Sequence, residues 1–339
     1  MGVGDIFDHL RRKPIKAKSG AVDTSATAAA PLEGGEAGEV SAGLRFYFLY
    51  LRKDRAALAG IIMIGVFLGW ALIEGILQQV TAYTGNKYWG LVLIPSNPIG
   101  LFFNQKLLPP SLNDFPNLLF GTNYLGQSIL ARMMYAAPHD AFASLLVVGS
   151  AIVIGMLLGT TAGYFGGWLD EILMRITDAF LSLPGIVLAI AIATLVGGGF
   201  TALLYALIVV WWPTYARFFR GQALSLRDKA YVEASKLSGA GSGRILVRHI
   251  FPNSIDPIVA YATLDLGTVI LTYSVLAFLG IGLTIGYPEW GAEASLGLPY
   301  FPFQWWPAII PGVIIAAVVI AFTLVGDRLQ DLIVGRMTY

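Results

Sequence analysis

Six long runs of apolar residues dominate this sequence of 339 residues. A helix needs roughly 20 residues of this kind to cross the hydrocarbon core of a membrane, and the runs are close to that length or longer. Their approximate bounds are residues 57–77, 141–164, 172–196, 200–216, 257–279 and 305–326. A small soluble core does not contain several such stretches, so the sequence predicts an all-α integral membrane protein with six transmembrane helices.

The composition excludes several other classes of protein. Only 13% of the residues are charged, against roughly 25% in soluble domains. The formal net charge of +1 provides no basic field for nucleic acid, so no nucleic-acid partner is expected. The sequence has no Cys and three widely spaced His, which do not form a zinc-ligand pattern. We therefore expect neither a metal site nor catalytic residues in this chain.

The distribution of Lys and Arg predicts the orientation. With the N-terminus inside, 19 of the 22 basic residues lie on the cytoplasmic side, so both termini are predicted to be cytoplasmic in a multi-pass protein of the cell membrane. We divide the chain into a flexible cytoplasmic tail (1–45), a first helix with an extracytoplasmic segment (46–140) and a transmembrane core (141–335). Seven of the basic residues lie between the fourth and fifth runs, in residues 217–253, which we call the inner loop.

The inner loop has an ordered pattern. The composition between Leu224 and Leu237 favours a helix with an apolar stripe of Ala230, Ala234 and Leu237, and Gly239 ends that helix. A plain loop with a helical turn would explain the basic charge. A surface for a cytosolic partner would also explain the spacing of the helix and its ending.

The inner loop resembles a known family. Its Glu233-Ala234-Ser235, Gly239 and Phe251-Pro252 are similar to the EAA loop of binding-protein-dependent ABC importer permeases, with Ser for Ala and Phe for Leu as departures. Further segments resemble the dipeptide, oligopeptide and nickel branch of that family: residues 121–126, 162–170, 173–175 with Asp178, 288–291 and 326–331. The family usually has Asp, Arg and Asp at three positions where this chain has Asn123, Gln127 and Ser128.

The resemblance implies a type I ABC importer permease fold. It implies a permease subunit that forms half of the translocation path for a solute delivered by an extracytoplasmic binding protein. The implied partners are a second homologous permease subunit, two ATP-binding subunits and membrane lipid. The chain has no G-x-x-x-x-G-K-[ST] phosphate loop, so we expect no enzyme activity and no cofactor here, with ATP and Mg on the partner subunits. Peptide, oligosaccharide and nickel-type substrates stay open.

The same resemblance implies that the inner loop couples the membrane helices to the ATPase. In that role a short helix seated in a partner's groove transmits displacement better than a flexible loop. The candidate coupling residues are Tyr231, Glu233, Ala234, Ser235, Leu237, Gly239, Ala240, Arg244 and Pro252.

Few polar residues interrupt the apolar runs. Asp265 lies inside the fifth run, where it either lines a substrate path or bonds side chains of neighbouring helices. Glu74 is expected near the outer interface, within reach of lipid headgroups. The alternative function, an ion-gradient-driven secondary transporter or channel, would call for several intramembrane ionisable groups, and Asp265 is the one that the sequence indicates.

Glycine recurs at a four-residue spacing in the second run, at Gly155, Gly159 and Gly163. This spacing places the three glycines on one face of a helix. Small residues on one face let two membrane helices approach closely. We therefore predict that another helix packs against this face.

Overall fold

The structure, a computed structural model, describes Leu51 and residues 54–85, 92–282 and 287–333; the predicted tail lies outside these ranges. Within them the chain is helical and has no β-strand. The α-helices are α1 (Arg55–Thr84), α2 (Ile129–Phe165), α3 (Gly167–Leu181), α4 (Gly185–Val196), α5 (Gly199–Arg227), α6 (Ala230–Leu237), α7 (Ser242–Ile245), α8 (Phe251–Phe278), α9 (Trp290–Gly297) and α10 (Trp306–Ile333). Helices α1, α2, α5, α8 and α10 are long and apolar enough to cross a membrane. The predicted all-α membrane fold is confirmed.

The third predicted span is bent rather than straight. It consists of α3 and α4, whose axes differ in direction by 89°, and the pair makes a sixth span if it is counted as one. Pro184 lies at the break and caps α4 without a side-chain hydrogen bond. A proline lacks the N–H that would continue the ladder of α3, and it disfavours helical geometry in the residue before it. The prediction of one continuous helix over residues 172–196 is therefore wrong.

Helix α1 begins at a side-chain cap. The Asp54 carboxylate accepts hydrogen bonds from the backbone N–H groups of Ala56 (2.7 Å) and Ala57 (3.3 Å), and it also pairs with Arg328 of α10. These backbone donors, that of Ala56 above all, and the Arg328 charge hold the pKa of Asp54 below its usual range. The helix ends at Gly85, whose φ of +67° favours glycine.

Two helices extend beyond the predicted apolar runs. Helix α2 starts at Ile129 rather than near residue 141, with Ser128 as its cap. Its added turns contain Arg132, His139 and Asp140, which hydropathy alone assigns to water. Helix α5 continues past residue 216 to Arg227, so the first part of the inner loop is helical. These bounds correct both predictions.

Helices α2 and α5 pack through the glycine face. A Cβ atom added at Gly155 would lie 2.4 Å from the Tyr215 Cβ, and one at Gly159 would lie 2.2 Å from the Ala216 carbonyl oxygen. At Gly163 the added atom would lie 2.6 Å from the Arg220 carbonyl oxygen. These distances are below van der Waals contact, so the two backbones touch because side chains are absent. The predicted close packing is confirmed.

An apolar cluster joins α1, α9 and α10. The Phe67 ring of α1 lies 5.5 Å from that of Trp290 in α9 and 6.4 Å from that of Phe322 in α10. All three side chains are buried. Through Trp290 this cluster holds α9 against α1 and α10.

Candidate functional site

The inner loop contains a short separate helix. Helix α5 ends at Arg227, and α6 occupies Ala230–Leu237. The two residues between them, Asp228 and Lys229, are not helical. The predicted continuous helix between Leu224 and Leu237 is therefore broken at residues 228–229. The break allows α6 to leave the axis of α5.

Helix α6 is attached through a different face from the predicted one. Its only buried residue is Val232, which packs into an apolar cluster with Ala223, Ile245, Leu246 and Ile250. The predicted stripe of Ala230, Ala234 and Leu237 is exposed instead. An eight-residue helix can bury only a narrow face, and in α6 that face holds the β-branched side chain of Val232, whereas Leu237 lies at the end of the helix and stays exposed.

The outward face of α6 is apolar in part. Leu237 is 86% exposed and Tyr231 is 42% exposed. Glu233 and Ala234 are exposed beside them, and Ser235 is half-buried. The Tyr231 ring lies 6.0 Å from the imidazole of His249, and partial burial raises the pKa of Tyr231. Exposed Leu and Tyr on a short helix form a surface that a partner protein can cover.

Gly239 ends α6 as predicted. Its φ is +82°, its N–H donates to the Lys236 carbonyl (3.0 Å), and the Ala240 N–H donates to the Ser235 carbonyl (3.1 Å). This pair of bonds is the Schellman ending, which needs a residue in the left-handed conformation.

The rest of the inner loop leads back into the membrane. Arg244 is exposed on α7, and one π-helical turn, Leu246–Ile250, joins α7 to α8. Pro252 is exposed in the first turn of α8. The structure therefore places the predicted coupling residues on one end of the bundle.

Asp265 makes the interhelical contact that the sequence left as one of two options. Its Oδ2 accepts hydrogen bonds from Trp211 Nε1 (2.7 Å) and Tyr215 Oη (2.9 Å). Both donors lie on α5, whereas Asp265 lies on α8. Tyr215 is itself the residue that packs against Gly155, so the polar contact and the glycine face are adjacent.

The structure adds buried carboxyl groups that the sequence reading missed. Asp140 of α2 and Glu289 before α9 are both fully buried. Burial raises the pKa of Glu289 to about 7, although its Oε2 accepts the backbone N–H of Ala292 (2.6 Å). Glu74 is also fully buried and accepts from Gln78 (3.0 Å), so the expected reach to lipid headgroups is wrong. Within the described ranges, no three His, Asp or Glu side chains gather as metal ligands.

A buried ion pair joins α2 to α9. Arg132 and Glu293 are each 1% exposed, and Arg132 Nε lies 2.5 Å from Glu293 Oε2. Gln127 Oε1 accepts from Arg132 Nη1 (2.8 Å), and Asn123 Nδ2 donates to Glu293 Oε1 (2.8 Å). Asn123 and Gln127 are two of the positions that depart from the family's usual charges. Here they complete the hydrogen bonding of a pair that is already neutral as a whole. The third position, Ser128, supplies the cap of α2.

Three successive carbonyl groups of α2 receive side-chain donors. Pro138 has no N–H for the Met134 carbonyl, and Trp70 Nε1 donates to that oxygen instead (2.8 Å). The carbonyl of Met133 accepts from Trp290 Nε1 (2.9 Å), and that of Tyr135 accepts from the Gln78 side chain (2.9 Å). The donors belong to α1 and α9, so both helices are fastened to α2 at its proline.

Comparisons with known proteins agree in family and differ in the solute named. Residues 151–339 match the family described as "Binding-protein-dependent transport system inner membrane component". The chain is 34% identical over 290 residues to the dipeptide transport system permease protein of Alkalihalophilus pseudofirmus, covering 86% of this chain and 89% of the relative. It is 37% identical to the probable D,D-dipeptide transport system permease protein of Escherichia coli, over 71% of this chain and 80% of the relative. The glutathione transport system permease protein of Pectobacterium atrosepticum is 35% identical, over 72% of this chain and 80% of its own length.

Proposed function

Because this chain belongs to the family of binding-protein-dependent inner-membrane transport components, as a permease subunit of an ABC importer, we propose that it forms half of the path by which a short peptide crosses the membrane. The relatives named above serve a dipeptide, a D,D-dipeptide and a glutathione system. All three solutes are small peptides. This agreement favours a peptide over an oligosaccharide or a nickel-type ligand.

The proposed assembly contains further subunits. A second homologous permease completes the path, two ATP-binding subunits supply ATP and Mg, and an extracytoplasmic protein delivers the peptide. Helix α4 leaves most of its surface available for a second permease or for lipid, since it buries only Ala189 and Ala193 while Val187 and Leu195 are 61% and 86% exposed. Residues 141–335 are the proposed permease core.

Coupling is assigned to α6 on a single observation. The helix is anchored to the chain by Val232 and presents Tyr231, Ala234 and Leu237 outward at the predicted cytoplasmic end. A helix held this way can be covered by an ATP-binding subunit without unfolding. Its displacement then passes to α5, from which only two residues separate it.

The coupling assignment is tested with Leu237→Arg and Glu233→Arg. Both side chains are exposed, so the chain itself should fold normally. We expect each variant to retain less ATP-binding subunit on purification and to lose peptide-stimulated ATP hydrolysis. Leu112→Arg is the matched control, since Leu112 is 75% exposed on the extracytoplasmic segment. Wild-type retention and hydrolysis in both α6 variants would contradict the assignment.

The substrate class is tested on the full complex in proteoliposomes. Uptake of a labelled dipeptide is measured in the presence of the binding protein and competing solutes. We expect unlabelled dipeptides to compete and oligosaccharides or nickel chelates to have no effect. Competition by an oligosaccharide alone would refute the peptide assignment.

A further inference from the structure

Helix α3 is held to the bundle by few apolar contacts. Of its 15 residues, only Thr177 is buried. Its apolar side chains Trp168, Ile172 and Ile176 are 74%, 49% and 47% exposed. The Phe180 ring contacts the Trp212 ring of α5, with centroids 5.5 Å apart. A helix packed this lightly depends on other contacts for its position.

Two ion pairs supply such contacts, and both join α3 to α5. Arg220 donates to both carboxylate oxygens of Asp170, from Nε at 2.6 Å and from Nη2 at 2.7 Å. Arg217 Nη2 lies 2.5 Å from Asp178 Oδ1. The Arg220 and Asp170 side chains are 35% and 16% exposed, whereas Arg217 and Asp178 are 54% and 52% exposed. The two-point contact of Arg220 fixes orientation as well as distance, so it is the stronger of the two.

These pairs lie between two moving parts of the proposed importer. On one side, α5 leads through two residues into α6. On the other, α3 leads through the 89° bend into α4, which packs back on α5 within the membrane. The charged contacts are therefore placed where movement of α6 would reach the bent pair.

We propose that Asp170 and Arg220, supported by Asp178 and Arg217, are positioning residues that transmit movement of α6 to the bent pair α3–α4. This inference rests on the coupling function proposed for α6. The bent pair moves with α5 while the pairs are intact. Without them the bent pair is linked to α5 only by the Phe180–Trp212 contact and the packing of α4, so it follows α5 less closely and ATP hydrolysis continues with less transport.

The test is the ratio of peptide transported to ATP hydrolysed by the complete importer. Asp170→Asn keeps the side-chain size and removes the charge. We expect the ratio to fall about fivefold, the low end of measured couplings between sites, with subunit retention unchanged. Asp178→Asn should lower the ratio less, because its pair is more exposed.

The matched control is Glu171→Gln on the same helix. Glu171 is 71% exposed, its pair with Arg175 spans 3.9 Å within α3, and its loss should leave the ratio unchanged. The charge exchange Asp170→Arg with Arg220→Asp should recover at least half of the lost ratio. A purely structural role predicts reduced complex yield in Asp170→Asn and an unchanged ratio in the complex that forms.

The outcomes separate this inference from the coupling proposal. An unchanged ratio in Asp170→Asn, or a lowered ratio that the charge exchange fails to improve, overturns the inference even if the α6 variants release the ATP-binding subunits. If those variants have no effect on the ATP-binding subunits, the coupling proposal itself fails.

Discussion

A methyl group added at Gly159 probes the contact between α2 and α5 directly. Alanine favours a helix by about 1 kcal/mol over glycine, so the substitution stabilises α2 taken alone. In the folded protein the new Cβ would lie 2.2 Å from the Ala216 carbonyl oxygen and 2.9 Å from the Arg220 nitrogen. Both neighbours are backbone atoms, which no rotamer change can move. Helix α5 must therefore shift by about 1 Å to restore contact distances.

Gly149 provides the matched control, because it lies in the same helix and an added Cβ would meet nothing within 4 Å. The helix-propensity gain is common to Gly149→Ala and Gly159→Ala, and it cancels in their difference. Overpacking typically costs about 1–3 kcal/mol. We expect Gly159→Ala to be less stable than Gly149→Ala by about that amount.

The assay is thermal unfolding of the purified complex in lipid nanodiscs, with both variants measured at one scan rate. Gly155→Ala should behave like Gly159→Ala, and because Gly155 faces Tyr215 it should also weaken the Tyr215 bond to Asp265. A Gly159→Ala protein that unfolds at or above the temperature of Gly149→Ala would refute the close approach of the two helices.

Three further substitutions test buried contacts by the same unfolding measurement. Glu293→Gln removes the carboxylate charge that lies against the buried Arg132, so we expect a loss of about 3–5 kcal/mol, and a loss below 1 kcal/mol would contradict the buried pair. Trp70→Phe removes the donor to the Met134 carbonyl and should cost about 1–3 kcal/mol; no change would mean that water replaces the donor. Folding raises the pKa of Glu289 from 4.5 to about 7, so the folded state keeps a proton that the unfolded state releases, and stability falls as pH rises through this window. Glu289→Gln should reduce that fall, and equal effects of the substitution at pH 5 and pH 8 would contradict it.

Hydropathy predicted the spans because an apolar run of sufficient length has few other uses. It failed at the start of α2 because it assigns every charged residue to water, whereas Arg132 is paired with a residue 161 positions away. No local pattern carries that information. For the same reason, the scarcity of intramembrane ionisable groups was a poor argument against an ion-driven transporter, since Asp140 and Glu74 are buried as well. Family membership decides between the two functions.

The inner loop shows where short patterns stop being informative. Its ending was predictable, because Gly239 is needed for a left-handed residue at that position. The buried face of α6 was not predictable, because a helix of eight residues could bury either the stripe of Ala and Leu or Val232 alone. The tertiary cluster around Val232 decides which face is buried. The glycine spacing in α2 was informative because it extends over two full turns.

Different interactions stabilise the two ends of the bundle. At the predicted outer end, Trp70, Trp290 and Gln78 donate to α2 carbonyl groups from buried or half-buried positions, and the Arg132 pair is sealed from water. At the predicted cytoplasmic end, the ion pairs from α5 to α3, and the pair from α10 to the start of α1, are partly exposed to solvent. Added salt weakens the attraction between exposed charges, and it affects buried pairs much less. We therefore expect rising ionic strength to loosen the predicted cytoplasmic end more than the predicted outer end.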